Sequence, residues 1–394
     1  MDADVVISGA GPAGLAAACA LGADGLRVVV VDPRPPVVDE HDATADLRST
    51  AVLRPGRALL EEAGAWDALD AEAEPLEVMR IVDAGPATPV ARDFRAADIG
   101  ADAFGWNLPN WAIRRALLAR AEALGTVDLR LGTSVAGLLA RDAAVRVRLG
   151  DGTRLTAALL LGLDGRDSAV RDAAGIEART TEYGQTAAAF VVRHDAPHGG
   201  VSTEIYREGG AFTLVPMPDR DGAHRSAVVW MDRAGEHARR AALDDDAFAA
   251  EATERSAGAN GPLAVVSRRA LWPILSRIAT RMTARRVALA AEAAHAMPPI
   301  GAQGLNTSLQ DVIALRDLAR AHRGDLGGPA MLDAYARARM PDVLARAAAV
   351  DALNRAALSG AAPVQALRAG VMAALHGTGP VRRALMRAGL GRAA

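Results

Sequence analysis

One segment near the start of the chain, VVISGAGPAGLAAACALGADGLRVVVVD, constrains the fold more than any other part of the sequence. The apolar run from Val5 to Ser8 predicts a short buried strand, and the helical spacing from Pro12 to Ala23 predicts a helix. The β-branched run from Arg27 to Val31 predicts a second strand that ends in Asp32. Strand, helix and strand in this order predict the first βαβ unit of a parallel sheet that is covered on both faces.

Three glycines in the turn between the first strand and the helix predict what this unit binds. Gly9 permits a tight bend, Gly11 lets the backbone approach a pyrophosphate, and Gly14 allows the helix to pack closely on the strand. The helix N-terminus offers free N–H groups to phosphates, and Asp32 offers a carboxylate to ribose hydroxyls. No second turn of this kind is visible in the sequence, so the fold is expected to hold one dinucleotide in this way.

The chain then leaves this sheet and returns to it. Alternating apolar residues at Leu76 to Ala84 and between Thr186 and Trp230 predict antiparallel strands, and VRVRLGDGTRLTA predicts a hairpin. The segment from Arg285 to His295 predicts a late strand of the first sheet, and helices follow it. The prediction is an α/β fold with a discontinuous Rossmann-like dinucleotide-binding domain (1–75, 97–180 and 275–340). A mixed or antiparallel β-sheet substrate domain (76–96 and 181–274) is inserted, and residues 341–394 form a helical C-terminal region.

Composition excludes several classes of function. Aromatic residues are 3% and the formal net charge is -2, which argues against a nucleic-acid partner. The sequence contains no lysine, so Schiff-base chemistry is excluded. A single cysteine, Cys19, predicts a buried thiol and no internal disulfide, and His194 and His198 lack metal-ligand spacing, so no metal site is expected. The lack of a signal-like start or an apolar run of membrane length predicts a soluble cytoplasmic protein.

Two further motifs are typical of ligand sites. Asp164, in LGLDGRDSAVR, ends a buried strand at the sheet edge where ligands bind, before a helix capped by Asp167 or Ser168; a capped turn without a ligand is the alternative.

The second motif is HAMPPIGAQGLN, residues 295–306. A helix starting near Gly304 would offer the N–H groups of Gly304, Leu305 and Asn306 to the anionic edge of a flat ring. A Pro-Gly loop that merely starts a helix is the alternative. The cradle formed in this way spans Pro298 to Asn306, and its candidate residues are Pro298, Pro299, Gly301, Gln303, Gly304, Leu305 and Asn306.

These three motifs together resemble the fingerprints of the single-component FAD-dependent aromatic monooxygenases. Within that class, PPIGAQGLN is similar to the ubiquinone-biosynthesis hydroxylase family, and so are RSTAV (48–52), YGQTAAAF (183–190), DALNRAALSG (351–360) and GPVRRALMRAGLG (379–391). The resemblance covers nearly the whole chain in the expected order.

The resemblance implies FAD as the bound cofactor and NAD(P)H as a transient co-substrate. It implies hydroxylation of an aromatic ring by O2 through a flavin C4a-hydroperoxide, with a polyprenyl phenol of ubiquinone biosynthesis as the substrate. The ring of the flavin would lie against the cradle, with Pro298, Gly301 and Gly304 forming its environment. The implied cofactor residues outside the cradle are Gly9, Gly11, Pro12, Ala13, Gly14, Asp32, Arg34, Arg48, Arg114, Asp164 and Glu292.

The sequence departs from the family pattern at Ala291-Glu292, where a Gly-Asp pair is usual, which puts the FAD affinity in doubt. The helix predicted to start near Gly304 reads LNTSLQD, whereas Leu-Gly is more frequent at its start in the family. Two alternatives therefore stay open. One is a soluble hydroxylase of a small phenol or secondary metabolite, and the other is a non-catalytic FAD-binding scaffold of a quinone-biosynthesis complex.

Two further features suggest partners. Tyr206, His198 and Arg207 are candidates for the substrate side, with plain surface residues as the alternative. From Ala352 onward the chain carries arginines and apolar residues and no acid, which predicts either peripheral membrane or protein-complex contact or ordinary helix packing. An oligomer is compatible with both.

Overall fold

The computed structural model describes residues 1–85, 89–359, 365, 370, 374 and 376–390. The strands are β1 (Ala3–Ser8), β2 (Val28–Asp32), β3 (Ser49–Leu53), β4 (Glu74–Leu76), β5 (Val78–Asp83), β6 (Val90–Arg95), β7 (Gly105–Pro109), β8 (Val127–Leu131), β9 (Val135–Ala140), β10 (Val145–Leu149), β11 (Arg154–Gly162), β12 (Ala178–His194), β13 (Val201–Arg207), β14 (Gly210–Arg220), β15 (Ala223–Arg233), β16 (Ala264–Val265), β17 (Ala270–Ala279), β18 (Thr283–Ala284), β19 (Val287–Leu289) and β20 (His295–Ala296). The helices are α1 (Pro12–Ala23), α2 (Arg54–Glu62), α3 (Asn110–Ala123), α4 (Ala169–Ala173), α5 (Ala234–Ala241), α6 (Asp245–Arg255), α7 (Gln303–Ala321), α8 (Pro329–Leu358) and α9 (Gly379–Leu390).

The first sheet is built around β1, which pairs in parallel with β2 on one side and with β11 on the other. Its strand order is β18-β19-β11-β1-β2-β8, and the hairpin of β10 and β11 is joined by β9. Val5, Val6 and Ile7 are fully buried, as expected for a central strand covered on both faces. The predicted βαβ unit is confirmed: α1 has the predicted bounds, and β2 ends in Asp32.

The second sheet has the order β20-β17-β12-β15-β14-β13-β5-β6, and β16 pairs with β12. It is antiparallel except for the parallel pair of β5 and β13, which explains why alternating residues predicted it. Phe190, Phe212 and Trp230 point to an outer face, where Phe248 of α6 packs on them. We call the opposite side the inner face; its cluster comprises Ala187, Tyr206, Ala211, Met231 and Ile274, together with Ile300, Val350 and Ala357 from other elements.

The late strand is shorter than predicted. Of the segment Arg285 to His295, only β19 and the first residue of β20 are strand, and residues Ala291–Ala293 form a 3₁₀ turn. The chain leaves the sheet after Leu289, and Ala291 adopts a left-handed conformation, with φ of 54°, in the turn that follows. β19 still joins β11 in parallel, so the predicted return to the first sheet is correct.

The end of the chain is helical where the structure describes it. α8 runs for 30 residues and α9 for 12 residues. Within the described ranges, no helix has both the length and the apolar character needed to cross a bilayer. The α/β class with a parallel sheet, a mixed sheet and C-terminal helices is confirmed, whereas the domain boundaries remain a prediction. Several residues of the predicted basic apolar tail lie outside the described residues: Leu367, Arg368, Val371, Met372, Leu375 and Arg392.

Candidate functional site

The glycine turn after β1 is closely packed on one side and open on the other. Gly9 has φ of 112°, and a Cβ atom there would lie 2.3 Å from the carbonyl oxygen of Leu163. A Cβ atom on Gly14 would lie 2.0 Å from the carbonyl oxygen of Gly9, whereas one on Gly11 would meet no atom within 4 Å. The first and third glycines are therefore required by packing, and the second leaves accessible backbone where a pyrophosphate would approach.

Asp32 holds this turn in place. One of its carboxylate oxygens accepts the N–H of Ala10 at 2.8 Å, and the other accepts the N–H of Arg34 at 2.9 Å. α1 starts at Pro12 after Gly11 as N-cap, and no side chain caps this end of the helix. Its first N–H groups, including that of Ala13, consequently lack an intrahelical partner and face the opening at Gly11.

Asp164 lies beside the glycine turn, because β11 is the parallel neighbour of β1. Its carboxylate accepts hydrogen bonds from the Ser168 hydroxyl and from the Val170 N–H at 3.1 Å, and Ser8 Oγ lies 3.4 Å away. Burial raises the pKa of Asp164, which the hydrogen bond from Ser168 partly opposes. The cap of α4 is Ser168, whose hydroxyl accepts the N–H of Arg171 at 3.0 Å, and not Asp167. Asp164 thus fixes α4 against the end of β1.

A third acid, Asp46, binds both Arg48 and Arg114. No pattern in the sequence predicted it. Its carboxylate accepts hydrogen bonds from Arg48 at 2.7 Å, from Asn110 at 3.0 Å and from Arg114 at 3.3 Å. Burial alone would raise the pKa of Asp46, but the hydrogen bond and charge of Arg48, with Asn110 and Arg114, lower it to about 2. The guanidinium of Arg48 also lies 5.1 Å from the ring centroid of Trp272. The structure therefore brings Arg48 and Arg114 together through an acid that lies two residues before Arg48.

The cradle at the start of α7 begins one residue earlier than predicted. Its N-cap is Ala302 in a left-handed conformation, with φ of 55°, and no side chain caps the helix. The unpaired N–H groups therefore belong to Gln303, Gly304 and Leu305, whereas that of Asn306 lies within the reach of the Ala302 carbonyl. A Cβ atom on Gly304 would meet no atom within 4 Å, so the backbone is open to a ligand there.

The side chain of Asn306 is hydrogen-bonded within the chain. Its amide nitrogen donates to the carbonyl oxygens of Ala51 at 2.6 Å and Ala302 at 2.7 Å, and its oxygen accepts the N–H of Leu53 at 2.9 Å. All these bonds are internal, and they attach the cradle to β3. Pro298 is buried, Pro299 is half-buried, and the N–H of Ile300 donates to the carbonyl oxygen of Pro298 at 2.8 Å, which stiffens the approach to the helix.

A fully buried carboxylate, Asp311 of α7, supports the turn before the cradle. It accepts the N–H of Ala291 at 3.0 Å, the Nε2 proton of His295 at 2.6 Å and the Nε proton of Arg339 at 2.7 Å. Burial would raise the pKa of Asp311, but His295 and Arg339 lower it overall. This arrangement fixes the backbone on which Glu292 stands, with the Glu292 side chain exposed.

The three substrate-side candidates do not lie together. Tyr206 points to the inner face and donates a hydrogen bond to Glu204 at 2.8 Å. Arg207 is the next residue of the strand, and its Nη1 lies 3.6 Å from Glu254 of α6, on the outer face. Arg207 therefore lies on the face opposite Tyr206, because a strand turns successive side chains to opposite faces.

His198 lies in the connection between β12 and β13, where its Nε2 bonds the carbonyl oxygen of Met217 at 3.1 Å. Its ring lies among those of His194 and His224, with centroids 6.3 and 6.2 Å away, so it belongs to a separate cluster. Within the described residues, no group of His, Cys, Asp or Glu is arranged to hold a metal ion.

Glu204, the partner of Tyr206, was not predicted. The only signal in the sequence is a glutamate two residues before the tyrosine, on the same face of a strand.

The residues around the glycine turn and the cradle fit FAD. Two uncapped helix N-termini, those of α1 and α7, present open glycine backbone at Gly11 and Gly304. Such ends carry partial positive charge, which suits a pyrophosphate at one and the electron-rich edge of a flavin at the other. Arg48 and the exposed Glu292 add a cation and a carboxylate: burial would lower the pKa of Arg48, but Asp46 and, with a smaller effect, the charge of Glu292 raise it overall.

Comparisons with known proteins agree with this fit. The sequence model of a family described as FAD binding domain matches residues 2–350. The chain is 35% identical over 392 residues to the ubiquinone hydroxylase UbiL of Rhodospirillum rubrum, and the alignment covers 99% of this chain and 90% of that protein. It is 27% identical over 435 residues to the human mitochondrial ubiquinone biosynthesis monooxygenase COQ6, with 97% of this chain and 91% of that protein covered. The crystal structure of p-nitrophenol 4-monooxygenase PnpA from Pseudomonas putida shares the fold, with a TM-score of 0.79 at 22% identity over 98% of both chains.

Proposed function

This chain belongs to the FAD-binding domain family, within the FAD-dependent aromatic monooxygenases, and on that premise we propose that it hydroxylates the ring of a polyprenyl phenol in ubiquinone biosynthesis. The proposal draws on the relatives whose names include ubiquinone hydroxylation and with which this chain aligns over almost its whole length. FAD, when bound, supplies the redox chemistry: it takes electrons from NAD(P)H and activates O2, so that one oxygen atom is transferred to the ring.

In this proposal the chain binds the two ends of FAD at two helix N-termini. The N–H groups at the start of α1, beside Gly11, receive the pyrophosphate, and Asp32 receives the adenosine ribose. Asp46 orients Arg48 and Arg114, and these two arginines would bind the part of FAD that links its two ends. Glu292 takes the place of a ribityl-binding aspartate. The N–H groups of Gln303, Gly304 and Leu305 stabilise negative charge on the flavin ring.

The observation that carries the proposal is the contact between the cradle and the inner face of the second sheet. Ile300 belongs to the same apolar cluster as Ala187, Ala211 and Ile274, and Met297 packs against that cluster. An aromatic ring held between this face and the cradle would be kept away from water and close to the flavin.

The first test is the binding of the cofactor, with a matched pair of glycine variants. A Cβ atom on Gly11 and one on Gly125 would both meet no protein atom within 4 Å, and neither residue has a positive φ. We expect Gly11→Val to fold with an unchanged melting temperature of the apoprotein and to lose the visible flavin absorbance, because its side chain enters the pyrophosphate site. Gly125→Val is expected to keep FAD. Loss of FAD in both variants, or in neither, would contradict the site.

The second test is the reaction. We expect the flavin absorbance of the purified holoprotein to bleach under anaerobic NADPH or NADH, and we expect added 2-geranylphenol and ¹⁸O2 to give a hydroxylated product that carries one labelled oxygen. Equal turnover of unsubstituted phenol would favour the small-phenol alternative. Bound FAD that neither nucleotide reduces would favour the non-catalytic scaffold.

A further inference from the structure

The inner face of the second sheet carries a carboxylate that has no positive partner among the described residues. Glu204 of β13 is 6% exposed. Its hydrogen bond comes from the hydroxyl of Tyr206, at 2.8 Å from Oε1, and within the described part of the chain no arginine or histidine lies in ion-pair distance. Burying an acid without a positive partner is unfavourable, and such groups are concentrated at functional sites, so the presence of Glu204 calls for a functional explanation.

The position of Glu204 links it to the cradle. In the sheet register it stands between Ile81 of β5 and Thr213 of β14. Ile81 and Tyr206 are both part of the inner-face cluster that contains Ile300 of the cradle. Glu204 therefore lies on the side of the sheet that we have proposed as the substrate side, and its second oxygen, Oε2, accepts no hydrogen bond from a described residue.

We propose that Glu204 is a catalytic residue that accepts the hydroxyl proton of the aromatic substrate, and that Tyr206 is the positioning residue that holds its carboxylate. In this step the O–H bond of the substrate breaks and a new O–H bond forms on Glu204. The bonding electron pair stays on the substrate oxygen as a phenolate, so nothing is oxidised or reduced. The phenolate raises the electron density at the ring carbons beside and opposite the oxygen, which prepares the ring to take up an oxygen atom. The inference rests on the proposed function.

The surroundings suit a base. Burial raises the pKa of Glu204, and the hydrogen bond from Tyr206 opposes this in part. A carboxylate with a raised pKa is a stronger base than one in water. The neighbouring titratable group on this face is Asp83 of β5, which is opposite Tyr206 in the register. Val350 and Ala357 of α8 and Ile300 of the cradle pack here with apolar side chains. The polar groups that α8 brings to this cluster are already paired: the Asn354 amide donates to Gln185 at 2.8 Å, and Asp351 accepts the hydroxyl proton of Tyr183 at 2.7 Å.

The test uses the full-length holoenzyme with 2-geranylphenol as the probe. We expect kcat/KM of the natural protein to rise with pH as Glu204 loses its proton. In Glu204→Gln the side chain keeps its shape and its hydrogen bond from Tyr206, but it cannot accept a proton. We therefore expect kcat/KM to fall by about 100-fold or more, and we expect its rise with pH to disappear. Glu208→Gln, four residues further on and exposed, is the matched control and should leave both unchanged.

A second variant and a spectroscopic measurement cover a Glu204→Gln protein that fails to fold. In Tyr206→Phe the carboxylate loses its donor, so we expect the rise of kcat/KM to move to higher pH while the rate at high pH is kept. Infrared difference spectra should show a carboxylic acid C=O band when the probe binds the natural protein. If Glu204→Gln folds and its pH profile is unchanged, the inference is overturned; if it does not fold, an unchanged profile in Tyr206→Phe overturns it. In either case, flavin reduction and hydroxylation by the natural protein would still uphold the proposed function. Loss of hydroxylation in the natural protein itself would remove both.

Discussion

At the scale of single residues, Ala291 occupies a backbone conformation that favours glycine. Its φ of 54° is left-handed, and the family pattern has glycine at this position. A left-handed conformation costs a residue with a Cβ atom about 1–2 kcal/mol, whereas glycine loses about 0.5–1 kcal/mol through its greater freedom in the unfolded chain. We therefore expect Ala291→Gly to raise the free energy of unfolding by about 0.5–1 kcal/mol, measured by urea denaturation.

The control is Ala293→Gly, two residues further in the same turn. Ala293 is buried, its φ is not positive, and its methyl group is lost without relief of strain. We expect this variant to destabilise the protein. Equal destabilisation by both substitutions would mean that Ala291 is not strained.

His237 is buried beside Trp230 and Arg240. Its Nε2 bonds the carbonyl oxygen of Trp230 at 3.0 Å. Burial, with the nearby charge of Arg240, lowers the pKa of His237 from 6.5 to about 4. Between pH 6.5 and 4, this histidine is protonated in the unfolded chain but neutral in the folded protein. The free energy of unfolding therefore keeps its full value above pH 6.5 and falls by about 3 kcal/mol as the pH drops towards 4.

The measurement is the free energy of unfolding as a function of pH in His237→Phe and in the natural protein. The variant loses the hydrogen bond to Trp230, so it should be less stable at pH 7 but should show a shallower decline between pH 6.5 and 4. His41→Phe, at an exposed position, should keep the natural slope. If the free energy of unfolding depends on pH in the same way in His237→Phe, then His237 is not held in its neutral form in the folded protein.

The site residues that the sequence failed to predict share one property: they are acids that act on distant segments. Asp311 binds a residue 20 positions earlier and another 28 positions later, and Asp46 binds Arg114, 68 positions later. Spacing along the chain reveals neighbours on one helix or strand, but not those brought together by a crossover between elements. Glu204 is the exception, because its spacing of two residues from Tyr206 does predict a shared strand face.

At the scale of elements, Asp311 ties α7, α8 and the turn at residues 291–295 into one unit. Asp311→Asn would keep the side-chain size but remove the charge that compensates the buried Arg339, whose side chain is 8% exposed. We expect the free energy of unfolding to fall by about 3 kcal/mol, since breaking one member of a buried ion pair leaves its partner uncompensated. Equilibrium urea denaturation measures this.

The matched control is Asp342→Asn, which removes another carboxylate bonded to the same arginine, at 2.8 Å, on the half-exposed side. Such a pair contributes about 1 kcal/mol or less. The double variant Asp311→Asn with Arg339→Met should recover part of the loss. A small effect of Asp311→Asn, similar to that of Asp342→Asn, would refute the role of Asp311 as the joint between these elements.

Elements with regular periodicity were predicted to within one or two residues, and an irregular one was not. α1 matches its predicted bounds because the apolar spacing and Pro12 at its first turn both indicate its start. The late strand was overestimated because an alanine provides no sign of the left-handed turn that ends it. The same left-handed alanine problem at Ala302 displaced the start of α7 by one residue.

At the scale of the whole molecule, the order of elements along the sequence was sufficient to predict the architecture. A βαβ start, a block of alternating strands and a late return describe the two large sheets in the order in which the chain forms them. What the order did not predict is how the sheets meet. The contact depends on Ile300 and Met297, which belong to a proline-rich loop with no periodicity.

The helix α9 has one side packed on the fold and another side exposed. Met386 of this helix packs with Ala96 and Phe104, and Leu390 contacts the same cluster, which is the ordinary helix packing that the sequence left open. Val381 and Leu385 are 41% and 44% exposed, on a helix that also carries exposed arginines and no acid. A helix with an anchored side and a basic apolar outer side suits the surface of an anionic bilayer, from which a polyprenyl phenol would be drawn.

We expect the purified protein to sediment with phosphatidylglycerol vesicles at low salt and to be released at high salt, because the arginine contribution is screened. Val381→Glu with Leu385→Glu should reduce the bound fraction several-fold without changing the melting temperature, since neither side chain is buried. Leu139→Glu is the control, because Leu139 of β9 is 45% exposed and lies outside α9. Equal binding by all three proteins, or none by the natural protein, would mean that the C-terminal helix serves only to pack on the fold and that the substrate reaches the inner face by another route.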